Sequence, residues 1–71
     1  MPHNKTIEGE IADAVDAIAA DVGRWTTDKK SADYTVKKLP VHLVVWPLIK
    51  KLSGKYDVAG AGDVITVRRR P

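Results

Sequence analysis

Lysine and arginine are the residues of this chain with the most concentrated chemistry. Eleven of the twelve follow Val22: Arg24, Lys29, Lys30, Lys37, Lys38, Lys50, Lys51, Lys55, Arg68, Arg69 and Arg70. Ammonium groups hold phosphates as point charges and guanidinium groups hold them as two-pronged donors, so this set suits a polyanion. No acid stands between Asp33 and Asp57, whereas the first 22 residues set one lysine against Glu8, Glu10, Asp13, Asp16 and Asp21. The net charge of +3 is mild. Its segregation is not, because an acidic segment joined to a basic body makes a dipolar molecule that turns its basic side toward an anionic partner. The competing reading is that the lysines keep a small domain in solution.

Other chemistries are poorly supplied. The histidines are His3 and His42, in different parts of the chain, and there is no cysteine, which excludes disulfides and thiolate zinc sites. Nucleophilic catalysis needs a nucleophile beside a base in a pocket that excludes water, for which 71 residues leave little room. The expectation is a protein that is not an enzyme and carries no cofactor and no metal. Gly60-Ala61-Gly62 lacks the third glycine and following helix of a dinucleotide loop, and Ser53-Gly54-Lys55 lacks the hydroxyl residue of a phosphate loop.

These residues must be positioned by a single small core. Hydrophobic residues make up 44% of the chain, but Phe is absent and the aromatics are Trp25, Tyr34, Trp46 and Tyr56. A domain of this size nets roughly 3 to 5 kcal/mol from burial, so tight packing or self-association must contribute. No apolar run approaches the length of a membrane span, and the reading is a soluble, cytoplasmic domain over residues 6–71 after a flexible start at 1–5.

Ile7, Ile11, Ala14, Val15, Ile18 and Val22 recur at helical spacing, predicting a helix over 6–22 with Thr6 as its cap and Gly23 as a left-handed stop. Over 28–38, Ala32, Val36 and Leu39 fit a short helix, favoured here, while Tyr34-Thr35-Val36 has strand character. Val41, Val44, Val45, Leu48 and Leu52 form one helical face. Pro47 objects, and the alternative is a strand over 41–46 with a helix opening at Pro47. The long helix is preferred. Residues 55–59 and 63–68 read as strands of a β-hairpin turning at Gly60-Ala61-Gly62.

This is an α+β pattern, two to three helices followed by a C-terminal hairpin, and its order resembles a winged helix-turn-helix domain. Residues 45–58 look like that family's recognition helix running through an L-x-x-L end into the first wing strand, and residues 63–70 like the second. The resemblance implies DNA binding, with the penultimate helix in the major groove and the wing on the backbone. It makes Lys37, Lys38, Lys50, Lys51, Lys55, Arg68, Arg69 and Arg70 phosphate contacts, and places His42 and Trp46 on the helix face turned to nucleic acid. That face reads His42, Leu43, Trp46, Pro47. It is apolar, short of the Arg, Asn and Gln that read base edges, and closer to a protein interface. Trp46 is assigned to the core, with interface or base stacking as the alternatives.

The leading expectation is a small nucleic-acid-binding protein, DNA ahead of RNA, driven by phosphate contacts, in a transcriptional role and able to form a homodimer. The rival is an adaptor or inhibitor that docks on a protein partner through the apolar face around Trp46.

Overall fold

The computed structural model describes residues 6–71. The expected flexible start at 1–5 lies outside them. Two helices and a three-stranded antiparallel sheet follow one another as α1 (Ile7–Gly23), β1 (Ser31–Thr35), α2 (Val41–Lys51), β2 (Tyr56–Ala61) and β3 (Val64–Arg69). The fold is α+β, with helices ahead of a C-terminal hairpin.

In α1 the Thr6 side chain accepts a hydrogen bond from the Gly9 N–H at 3.1 Å, satisfying one of the four donors a helix start leaves open. Glu8 and Glu10 stand in the first turn, where the helix dipole favours them. Val15, Ile18 and Val22 are buried. Gly23 is not the left-handed stop expected: it is the last helical residue, and Arg24 caps the end in the right-handed region, its N–H donating to the Asp21 carbonyl at 3.0 Å and the Trp25 N–H to the Val22 carbonyl at 3.1 Å.

The helix expected over 28–38 is instead a turn followed by β1. Tertiary pairing decides this. β3 contains Ile65 and Val67, both fully buried, and lies at the centre of the sheet order β1-β3-β2. A two-stranded hairpin is marginal alone, and a third strand satisfies the remaining backbone groups of β3. The register sets Ala32 opposite Val67 and Tyr34 opposite Ile65, so the half-buried residues of β1 face the core while Ser31, Asp33 and Thr35 face out.

α2 runs through Pro47 as one helix. Val44 and Leu48 are fully buried and Leu52, just past the end, nearly so. Each such side chain stabilises by about 1.5 to 3 kcal/mol. Together they outweigh the roughly 3 kcal/mol penalty of an interior proline, whose ring lies on the exposed side. Consecutive positive φ angles at Ser53 (57°) and Gly54 (74°) then turn the chain into β2. The hairpin turn is Gly62-Asp63, one step later than expected, with φ +63° at Gly62 as a primed two-residue turn requires.

α2 packs between α1 and the sheet, principally over β2. The approach at Gly60 leaves no room for a side chain: a Cβ there would stand 2.3 Å from Val41 Cγ1 and 3.0 Å from Val45 Cγ2. Ten aliphatic residues form the buried core, none of them aromatic. Beside it Trp25 stacks on Tyr34, with centroids 6.5 Å apart and planes 7° from parallel, and meets Tyr56 edge to face at 5.9 Å. Such pairs contribute about 0.5 to 1.5 kcal/mol beyond area burial. Burial pushes the Tyr34 phenol above its ordinary pKa of 10.0; a bond with the Trp25 side chain opposes the rise, the Asp21 charge adds to it and Arg24 opposes it.

Two tests follow from this packing. Gly60→Ala should destabilise by about 1 to 3 kcal/mol in urea titrations, because stiff β-branched valines on a helix cannot swing clear of a new methyl; unchanged stability would misplace α2. Because the folded state prefers neutral Tyr34, the stability it contributes is fully present below pH 10 and is lost as pH rises through the raised folded-state pKa. Wild type should therefore lose stability relative to Tyr34→Phe above pH 10, and a constant difference would contradict this.

Candidate nucleic-acid interface

The end of the sheet where β1 and β2 begin and β3 finishes is built almost wholly from basic residues. The Arg69 N–H donates to the Lys30 carbonyl at 3.0 Å and the Arg70 N–H to the Lys55 carbonyl at 3.3 Å, so Lys30 and Lys55 flank the arginines from opposite sides. One step inward, Arg68 stands between Ser31 and Asp57 in register. Alternation along β3 sends Arg68 to the open face of the sheet and Arg69 to the other.

Two adjoining depressions occupy this end. One, of about 420 Å³, is lined by Thr27, Lys30, Ser31, Arg68, Arg69 and Arg70. The other, of about 320 Å³, is lined by Lys55, Tyr56, Arg69 and Arg70. Arg69 and Arg70 border both. The acids nearest by chain position are Asp57 and Asp28, and Asp57 is engaged by Arg70, Nε to Oδ1 at 2.7 Å. Both partners of that pair are more than half exposed, so it adds little to stability. Among the described residues Lys30, Lys55, Arg68 and Arg69 make no ion pair. Guanidinium forks and the hydroxyls of Thr27 and Ser31 are donor types of the kind that suit a phosphate.

The ten residues singled out from the sequence fall in four places. Arg68, Arg69, Arg70 and Lys55 meet at the basic end, and Lys50 is exposed in the last turn of α2, which leads into it. Lys51 reaches back to Asp16 on α1 at 3.5 Å and ties the helices together. Lys37 and Lys38 follow β1 at the opposite end of the sheet, where the Val36 N–H bonds to the Asp63 carbonyl, and are not brought to the arginines. His42 and Trp46 lie on the outer side of α2. Trp46 is 69% exposed, which overturns its assignment to the core. With Val45, Ile49, Val58 and Gly60 these two line an apolar groove of about 530 Å³ between α2 and β2.

Lys30, Thr27 and Ser31 were missed because reading 28–38 as a helix carried them away from the C-terminal arginines. The signal was present in the alternation of Ala32 and Tyr34 with Ser31, Asp33 and Thr35, which is a strand's period of two. Among the described residues no three His, Asp or Glu side chains gather closely enough to hold a metal ion, and no helix is long and apolar enough to cross a membrane. No family model matches the chain, and comparison with curated proteins and with solved structures returns no significant match.

Proposed function

We propose that this protein is a small winged-helix-like module that binds nucleic acid, DNA ahead of RNA, by gripping phosphates with its basic end. The observation that carries the reading is the convergence of Lys30, Lys55, Arg68, Arg69 and Arg70 around two adjoining depressions, although these residues come from three separate stretches of chain. A charge set meant for solubility has no need to converge. The acids on α1 remain exposed along that helix, which preserves the dipolar character legible in the sequence.

Phosphate contacts position a protein without reading sequence. The outer side of α2, with Leu43, Trp46 and Pro47, offers apolar surface where a base-reading helix carries Arg, Asn or Gln. The module therefore binds with little sequence preference, and a transcriptional role would draw its specificity from a partner. The adaptor reading is supported by the exposure of Trp46.

Fluorescence anisotropy with duplex DNA, single-stranded DNA and RNA across a salt series tests the proposal. For about five neutralised phosphates, log K should fall against log salt with a slope of roughly −4 to −5. Arg68→Ala and Arg69→Ala should each flatten the slope by about 1 and weaken all sequences alike. Asp57→Asn removes an acid and releases the Arg70 guanidinium, and should tighten binding by roughly two- to fivefold, the scale of an exposed ion pair. Trp46→Ala should leave affinity within about twofold, since base stacking is worth about 1 to 3 kcal/mol where it occurs. A flat salt response would overturn the reading, and a large loss with Trp46→Ala would move the site to α2.

A further inference from the structure

Ser31 opens β1 at the basic end, and the sheet register fixes its neighbours. It stands directly opposite Arg68, with Asp57 on the far side of Arg68 in the same row. Residues opposed in an antiparallel pair share a face, with Cβ atoms about 4.5 to 5.5 Å apart, so Ser31 and Arg68 leave the sheet side by side. Ser31 is exposed and lines the larger basic depression with Lys30, Arg68, Arg69 and Arg70. Among the described residues its hydroxyl has no hydrogen-bond partner. The chain around it is accessible as well. The Lys30 carbonyl accepts from the Arg69 N–H, and ladder bonds alternate, so the backbone groups of Ser31 turn away from β3 toward the outer edge of β1. Residues 25–30 lie outside the helices and strands, and the ends of edge strands open at low free energy.

We propose that Ser31 is a phosphorylation site whose phosphate closes the basic end to nucleic acid; the closing effect rests on the phosphate-gripping reading given above. The donor is a nucleoside triphosphate, used by a serine kinase that selects Lys or Arg just before its target, as Lys29 and Lys30 stand here. The Ser31 Oγ attacks the γ-phosphorus, the bond to the bridging oxygen breaks, a nucleoside diphosphate leaves and the hydroxyl proton passes to the base of the kinase. The product carries a charge of about −1.5 to −2 at pH 7 and three strong acceptor oxygens. Arg68 beside it, with Lys30, Arg69 and Arg70 around the depression, gives that phosphate the donors a nucleic-acid backbone would use. Two acids oppose it. Asp33 follows on the same face of β1, and Asp57 is already engaged by Arg70. Four cations against these two leave the depression positive, and the phosphate seats in it. Thr27, the other hydroxyl of the depression, follows Trp25 and Thr26 and has no partner across the sheet, which leaves Ser31 as the acceptor.

The whole chain, as expressed and as made by chemical synthesis with phosphoserine at position 31, tests this. A serine kinase directed by Lys and Arg, given ATP, should add one phosphate to the expressed protein, mapped by mass spectrometry to Ser31 and lost in Ser31→Ala. In the synthetic chain, phosphorus NMR without nucleic acid should place the second ionisation of the phosphate below its ordinary pKa of about 6, and Arg68→Ala should move it back toward that value. Anisotropy with single-stranded and duplex DNA should show Kd raised at least about tenfold by the phosphate, since it takes cations the nucleic acid needs. No phosphate at Ser31 after kinase treatment overturns the inference. An ordinary titration indifferent to Arg68→Ala, or a phosphorylated chain that binds nucleic acid as well as the unmodified one, overturns it equally. Binding absent from both forms while the titration is shifted overturns the phosphate-gripping reading instead, and supports Ser31 as a site whose phosphate the arginines hold.

Discussion

The seating of α2 on the sheet depends on contact with bare backbone at Gly60, where Val41 comes closer than a side chain would allow and Val45 adds a second tight contact. That contact, with Val44, Leu48 and Leu52 driven into the core, sets where everything else lies. Held this close, α2 antiparallel to β2 delivers Lys50 and Lys55 to the end where β3 finishes in Arg68, Arg69 and Arg70. The same seating turns Trp46 outward and opens the groove beside the β2 edge. Pro47 is tolerated because the helix is held by its buried face and not by an unbroken ladder of backbone bonds.

The basic end therefore arises from topology as much as from composition. Arginines at the close of the central strand are flanked by lysines that open or precede both of its neighbours, and antiparallel pairing brings them level. Such an arrangement repels itself. It is tempered by Asp57 on Arg70, and the depressions between the cations remain open to an anion. The core gives little stability to spare, being aliphatic and small, with the Trp25, Tyr34 and Tyr56 cluster finishing what the helices do not cover. The account thus joins a thin core and a charged pole in one small domain.

α1, the long α2 and the terminal hairpin were legible because each has an apolar period strong enough to survive without context: Val15, Ile18 and Val22 in the first, Val44, Leu48 and Leu52 in the second, Ile65 and Val67 in the last. β1 was not, because Ala32, Val36 and Leu39 satisfy a helical spacing while Ala32 and Tyr34 satisfy a strand's. Pairing with β3 decided between them, and that is a contact across more than thirty residues of chain. The exposure of Trp46 was equally hidden, since helical spacing cannot say whether a residue beside the buried stripe lies just inside or just outside it. The arginine run was visible as charge. Its company was not, because Lys30, Thr27 and Ser31 join it only through the strand that periodicity left undecided.

The most direct test of the central claim is a residue-by-residue map of where nucleic acid touches. Amide chemical shifts of labelled protein titrated with a short DNA duplex should move at Thr27, Lys30, Ser31, Lys55, Tyr56, Arg68, Arg69 and Arg70, while Leu43, Trp46 and Lys37 stay still. Shifts centred on Leu43 and Trp46, or on Lys37 and Lys38 at the far end of the sheet, would contradict the account.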